Sequence, residues 1–296
     1  MAVLYQKIQN RDKTEGMEIL GYEGKIRHLT VPEEIENIPV QRIGKSAFSG
    51  REDLVSVQLP QTVDTLGRYA FYNCKNLKSL CLYDGVEDYY DGVIKQCRQL
   101  SEVTLIQTRN DFSVMKEMLA DNDRMLRFVV EPLGLHLTFP AYVYDFVEDV
   151  EARVLHHKIE GSGYPYRECV TRKGVDILAY DRLFQRVIAD DYPAAISIAL
   201  DRLMYPLELE QGMREEYEQY LEQNGSVVIR ELIPAGENQK IAYLCENCLL
   251  QREVAEEALY LASEEKQSEI AAVLMEYQRE HFTGRMPAQA LTLDDW

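Results

Sequence analysis

The chain is 296 residues long, 46% hydrophobic and 28% charged, which is enough for a sizeable core and, at this length, for about two domains. Its formal charge of −18 repels phosphate backbones and anionic lipid surfaces, and no basic stripe offsets it, so binding of nucleic acid is excluded. No stretch approaches the ~20 apolar residues of a spanning helix, and residues 1–16 hold no apolar run of signal-peptide length; both point to a cytoplasmic protein without a membrane role. The acid lies late: residues 1–105 carry 13 basic and 15 acidic side chains, 106–180 carry 9 and 12, and 181–296 carry 10 and 23.

From residue 43 to residue 105 the chain repeats itself every 23 residues. Leu54, Leu77 and Leu100 share one register, Val57, Leu80 and Val103 the next, then Leu59, Leu82 and Leu105. Ile43, Leu66 and Tyr89 lie behind them, followed by Ala47, Ala70 and Val93 and by Phe48, Phe71 and Ile94. Apolar identity at equivalent positions means that each copy adds one rung to a core that no copy closes alone, which is a solenoid. In Leu54-x-x-Val57-x-Leu59 the alternation marks a short strand with Val57 and Leu59 inward and Ser56 and Gln58 outward. Parallel stacking then sets Ser56, Gln58, Ser79, Cys81, Glu102 and Thr104 on one concave face, the usual recognition surface of a solenoid. That face is polar and lacks the Trp and Arg anchors of a strong hot spot, a composition that also suits a solvated surface. The amphipathic group Tyr83, Tyr89 and Tyr90 offers a second candidate surface, with Tyr89 in an inward register.

Val57-Gln-Leu-Pro60, Val63, Leu66-Gly67, Ala70-Phe71, Cys74 and Leu77 resemble one full unit of the leucine-rich repeat of the BspA type. The preceding copy, Leu29-Thr-Val-Pro32, Ile35, Ile43-Gly44, Ala47-Phe48 and Leu54, carries five extra residues around Ile38 and Val40, read as an insertion in a surface turn. The following copy is degraded, with Tyr83 where Pro stood and Tyr89-Tyr90 where Leu-Gly stood. The resemblance covers roughly the first third of the chain. It implies a scaffold fold with an interaction role and no catalysis. Family members are secreted or surface-bound, so it also implies a second reading, a surface-associated binding protein without its leader.

Of six cysteines, Cys74 and Cys97 share a register and read as buried fillers. Cys81 falls on a strand. Cys245-Glu-Asn-Cys248 has metal or redox spacing, but it stands in a helical pattern with no second pair, so all six read as structural and no metal or cofactor is expected. Residues 111–120 read as a helix with Asp111 near its start, residues 126–130 and 135–139 as strands that continue the sheet through irregular rungs, and residues 154–159 as another strand ending at the turn Gly161-Ser-Gly163. This segment reads as the cap that a solenoid needs. It also holds a nominal nucleophile, base and acid in Ser162, His156 or His157, and Asp145, Glu148 or Asp149. The context of Ser162 is not that of a nucleophile elbow, and a hydrolase is kept only as the alternative from another class.

From residue 181 onward the pattern is helical. Leu259-Tyr-Leu-Ala262, Glu264, Glu269-Ile270 and Val273-Leu274-Met275-Glu276 resemble the helix pair of an ankyrin repeat, although Lys266-Gln267 stands where glycine is usual and Glu257-Ala258 where Thr-Pro opens a repeat. Residues 183–200 and 217–233 read as weaker pairs, with breaks at Tyr192-Pro193, Asn224-Gly225 and Pro234-Ala-Gly236. An irregular bundle would bury Ile196, Leu200, Ile241, Leu244, Ile270 and Leu274 equally well. Glu215-Glu216, Glu256-Glu257 and Glu264-Glu265 read as solvated faces or as an acidic surface for a basic partner. The end, Ala290-Leu-Thr-Leu-Asp-Asp-Trp296, reads as a docking segment or as a tail packed on its own domain.

The expected architecture is therefore α+β: a leucine-rich-repeat solenoid over 1–140, a capping segment over 141–180, an all-α ankyrin-like domain over 181–282 and a tail over 283–296. The expected role is a non-enzymatic scaffold or adaptor in which two solenoids present faces to protein partners. No small-molecule substrate is expected. The candidate contact residues are Ser56, Gln58, Ser79, Cys81, Glu102 and Thr104, with Tyr83 and Tyr90.

Overall fold

The computed structural model describes residues 2–10, 12–149 and 154–282, with residues 2, 145–149 and 154–158 as backbone only. The expected tail over 283–296, including Trp296, lies outside the described residues. The chain divides into two compact units between Glu210 and Gln211.

Because side chains alternate along a strand, a short segment such as Val57-x-Leu59 buries one edge and needs a neighbouring backbone on each flank. The repeat supplies both. Strands β1 (Ala2–Gln9) and β2 (Glu15–Glu23) form an antiparallel hairpin. There follow β3 (His28–Thr30), β4 (Glu34–Ile35), β5 (Ile38–Ile43), β6 (Ser56–Gln58), β7 (Thr65–Leu66), β8 (Ser79–Tyr83), β9 (Asp88–Tyr89) and β10 (Glu102–Ile106). One parallel ladder runs β3-β6-β8-β10 and stacks Val57 on Leu80 and Leu80 on Val103. A second runs β2-β5-β7-β9 and stacks Ile19, Ile43, Leu66 and Tyr89, with β1 at its edge. The inward residues of the repeat are buried almost completely, Leu54, Leu77, Leu82, Leu105, Ile43 and Leu66 among them at 0% exposure.

The third side of each rung is a turn. Its backbone also bonds from copy to copy: Phe48 N donates to Ala70 O at 2.8 Å and Phe71 N to Val93 O at 2.9 Å. Two positions per turn take left-handed backbone at the 23-residue spacing, Ser46, Tyr69 and Gly92, then Gly50, Asn73 and Gln96. Phe48 and Phe71 stack in parallel with centroids 5.3 Å apart, and Cys74 and Cys97 donate their thiols to Phe48 O at 3.1 Å and Phe71 O at 3.0 Å. Rungs approach so closely that a Cβ on Gly67 would lie 2.7 Å from Lys45 N and 2.8 Å from Ile43 O, contacts that only glycine avoids.

Around Ile38 and Val40 the structure corrects the sequence reading. The extra residues are no surface insertion: β4 and β5 pair as a hairpin across Glu36 and Asn37, both left-handed, and the extra length makes β5 six residues long with Val40 at 0% exposure. The lengthened strand gives β2 a partner, and through it the β1–β2 hairpin closes the first rung with Met17 and Ile19 at 0% exposure.

At the other end, α1 (Ser113–Asp121) starts beside Asp111, whose carboxylate accepts from Ser113 N at 2.7 Å. Strand β11 (Leu126–Glu131) adds one more parallel rung, Phe128 beside Val103 and Val130 beside Leu105. Strand β12 (Leu135–Phe139) then pairs antiparallel, because the three residues between it and β11 are far too few for a parallel crossover. The chain continues through β13 (Val143–Asp149), β14 (Val154–Glu160), α2 (Gly163–Glu168), β15 (Val170–Thr171), β16 (Gly174–Val175), α3 (Ile177–Arg182), α4 (Phe184–Asp190) and α5 (Tyr192–Met204). Arg167 of α2 is buried at 6% exposure and donates to the carbonyls of Leu119, Asn122, Arg124, Pro140 and Gly163. One guanidinium thus joins the end of α1, the loop before β11 and the start of α2.

Helix α5 packs against β12, so the solenoid unit extends beyond residue 181, where the sequence reading places the change of domain. Its adjacent residues Asp201 and Arg202 are both at 0% exposure and serve different neighbours. Arg202 meets the buried carboxylate of Asp181 at 2.8 Å and 3.0 Å. Asp201 accepts from Arg127 Nε at 3.0 Å and 3.1 Å and from Thr138 Oγ1 at 2.8 Å. Arg127 also donates to Glu102 at 2.8 Å and to His136 Nδ1 at 2.7 Å, and Tyr205 stacks on the His136 ring.

The second unit comprises α6 (Gln211–Gln223), α7 (Gly225–Ala235), α8 (Asn238–Glu246), α9 (Arg252–Glu264) and α10 (Ser268–His281). Helix α7 packs on α8 and α9, and α10 on α8 and α9, so two helix hairpins stack. Their seam is narrow because Ala255, Ala258 and Ala262 line it at 0% exposure. The left-handed Gly236 turns the chain from α7 into α8. The expected helix pairs over residues 183–200 and 217–233 are present as α4 with α5 and α6 with α7, broken at Asp191 and Asn224, but residues 183–200 belong to the first unit. Apolar stripes mark helices but not which helix meets which.

Phe71 is the best probe of the shared core. Phe71→Ala leaves a cavity between rungs and should cost about 3–5 kcal/mol in urea unfolding, while the outward Gln58→Ala should stay within about 0.5 kcal/mol. Equal effects would contradict a core built across copies.

His136 makes the cap sensitive to acid. Burial and the neighbouring Arg127 lower its pKa below the ordinary 6.5, and protonation would remove the acceptor that Arg127 uses. Over the window from 6.5 down to the folded value the unfolded chain binds more protons, so stability falls as pH drops through it. His136→Asn should flatten that fall. Urea unfolding at stepped pH checks it, and identical profiles for both proteins would refute it.

Candidate functional site

The long sheet has one buried side and one open side, and the ladder register decides which residues share the open one. Residues on β6, β8 and β10 alternate between buried and half-buried or exposed. The first open row is His28, Ser56, Ser79, Glu102 and Arg127; the second is Thr30, Gln58, Cys81 and Thr104, ending at the buried Val129; the third is Tyr83, Ile106 and Glu131. Neighbouring strands place members of a row ~4.8 Å apart. All six expected polar residues, Ser56, Gln58, Ser79, Cys81, Glu102 and Thr104, therefore lie on one face, and Tyr83 joins them.

Tyr90 does not. It follows β9 on the other sheet, is 50% exposed and lines a cleft of about 390 Å³ with Tyr89, Asp111 and Arg172. Tyr89 is partly buried, and its hydroxyl donates to Asp121 at 3.0 Å. The tyrosines that are close in sequence are thus divided between two sheets.

His28, Thr30, Ile106, Arg127 and Glu131 escaped the sequence reading. His28 and Thr30 belong to the copy with the lengthened turn, and Ile106 follows the last repeat-matched residue. A period-2 reading extended one residue beyond Leu105 would have found Ile106. His28 Nδ1 and Ser56 Oγ are 2.8 Å apart. The face ends at Arg127, whose guanidinium is already engaged by Glu102, Asp201 and His136.

Chemically the face is mild. Burial, with Glu131 nearby, raises the Cys81 thiol, so it stays protonated and poorly nucleophilic at neutral pH. Ser162 precedes α2 at 1% exposure, which places its hydroxyl away from solvent. His156 and His157 pair through their backbones with Val147 and Phe146, and their side chains, like those of Asp145, Glu148 and Asp149, lie outside the described ones. Cys245 is buried, with its thiol pushed up to about 12, whereas Cys248 is exposed, so the pair does not present two thiolates together. Among the described residues no group of three His, Cys, Asp or Glu could hold a metal ion, and no helix is long and apolar enough to cross a membrane.

Residues 20–121 match the family model of the BspA type leucine rich repeat region, in six copies. Similar solved structures include a leucine rich cell surface protein from Faecalibacterium prausnitzii A2-165, at 30% identity over 35% of this chain and 31% of that one, with a TM-score of 0.30. A leucine-rich repeat protein from Bacteroides ovatus matches at 20% identity over 35% and 30%, with a TM-score of 0.31, and the T. pallidum leucine rich repeat protein at 22% over 34% and 68%, with a TM-score of 0.24. The chain spans about a third of the length of the first two. No curated protein matches it. The stacked rungs over residues 20–121 are thus a BspA-type leucine-rich-repeat region.

Proposed function

We propose that this chain is a non-enzymatic protein-binding scaffold whose partner docks on the open face of the long sheet. The observation that carries the reading is the register itself: seven of the eight candidate side chains, from three consecutive repeats, fall in three straight rows on a single surface. Such a surface is fixed before binding, so little conformational entropy is lost when a partner arrives. Tyr83 and Ile106 supply its apolar row, and Ser56, Gln58, Ser79, Cys81 and Thr104 supply short hydrogen-bonding groups. We read the stacked helix hairpins as ankyrin-like and the protein as cytoplasmic; six free thiols suit a reducing compartment.

The test is Ser79→Arg combined with Thr104→Arg in the full chain. Both sites are on the open side, so stability should stay within about 0.5 kcal/mol of the parent. Affinity capture should then lose whatever protein the parent recovers. Recovery of the same protein by both would refute the face, and a catalytic turnover removed by Ser162→Ala would refute the non-enzymatic reading.

A further inference from the structure

On the turn side of the third rung, away from the open face, a cleft of about 430 Å³ lies between the turn that carries Lys95 and Arg98, the loop after α1 and the first residues of β13. Lys95, Arg98 and Arg124 line it, all exposed, and among the described residues none of their side chains makes an ion pair or hydrogen bond. Such convergence is notable in a chain of charge −18, where cations are outnumbered and most would be expected to find a carboxylate. Two carboxylates, Asp121 and Asp123, share the cleft. Asp121 is occupied, accepting from Tyr89 Oη and Ile94 N at 3.0 Å each, and burial raises its pKa.

A fourth positive charge lies beneath. Arg167 is hydrogen-bonded to carbonyls alone, with no carboxylate bonded to it, and its guanidinium sits 4.7 Å from the centroid of Tyr142, which lines the cleft with Tyr144. Burial pulls its pKa down to about 10, so it remains charged at neutral pH. It also fixes the site, because it bonds the carbonyls of Asn122 and Arg124 and so sets the loop from which Arg124 projects. Asp123 is exposed and its charge acts on Tyr142 and Arg167, so with Arg167 the cleft sets four cations against two carboxylates and keeps a local positive excess beside two aromatic rings.

The geometry points to an anion site that takes a phosphate or sulfate monoester of an aromatic ring: Lys95, Arg98 and Arg124 hold the oxyanion, and the ring lies against Tyr142 and Tyr144. The volume suits a small ligand of this kind. Charge-assisted bonds to an oxyanion are the strong ones, and an aromatic body adds offset stacking.

Calorimetric titration of the full-length protein tests this with phenyl phosphate, phenyl sulfate, inorganic phosphate and benzyl alcohol. Saturable binding of phenyl phosphate or phenyl sulfate is expected, tighter than inorganic phosphate, absent for benzyl alcohol, and weakened by raising salt from about 0.05 M to about 0.5 M. Arg98→Gln with Arg124→Gln should weaken it by about tenfold or more without changing the melting temperature, since neither side chain has a partner to lose. No saturation of either aryl ester below about 10 mM, or binding unchanged in the double variant, would overturn the site. Equal affinity for inorganic phosphate and both esters would overturn its aromatic half. Because the open face is untouched by these substitutions, failure here leaves partner capture unaffected.

Discussion

Nothing within one 23-residue copy can close over Phe71, which is buried with its ring stacked on Phe48 of the preceding copy and its backbone bonded to Val93 of the following one. Every other feature of the first unit follows from that dependence. A stack of rungs held by its neighbours has two ends where apolar side chains and strand edges would face water, and exposed edges recruit other chains. The β1–β2 hairpin covers the start, held by a strand that the lengthened turn provides. The finish is more elaborate: β12 reverses direction, α5 lies over it, and Arg167 and Arg127 tie separate segments together through carbonyls and carboxylates.

Both arginines work by leaving few polar groups unpaired. Arg127 is about one-fifth exposed and keeps Glu102 as a second partner, whereas Asp201 is buried, so neutralising Arg127 would strand a buried carboxylate, a change that typically costs about 3–5 kcal/mol. Arg167 reaches the same end without an acid. Its fork of N–H groups bonds five carbonyls at a helix end, a loop, a strand end and a helix start, a spread that no smaller side chain could reach.

How much of this was legible in the sequence depends on whether a contact recurs. The inward rows Leu54-Leu77-Leu100 and Val57-Leu80-Val103 leave a periodic trace, and the open face follows from them by alternation alone. Gly50, Asn73 and Gly92 also carried a trace, residues at ease in left-handed backbone at the repeat spacing, although Tyr69 and Gln96 obscure it. The second sheet was partly hidden because β7 and β9 are two residues long. Asp201 with Arg127, 74 residues apart, and Arg167 with its carbonyls were not legible at all, since a single polar contact between distant segments imposes no pattern. The same reason explains the boundary: α3 to α5 look like the helices that follow them, and only their packing on the sheet assigns them to the solenoid.

A face ruled by a ladder has an unusual relation between stability and recognition. Ser79 and Thr104 gain their positions from backbone bonds that exist whatever their side chains are, so the surface can vary while the rungs persist. The end of the face behaves differently. Glu102 is both an open-row residue and a partner of Arg127, and through Arg127 it is linked to Asp201 on α5. A ligand that competes for Glu102 would draw on the cap, whereas one centred on Gln58 and Cys81 would not. Recognition near β6 and β8 is therefore separable from folding, and recognition near β10 is coupled to the cap.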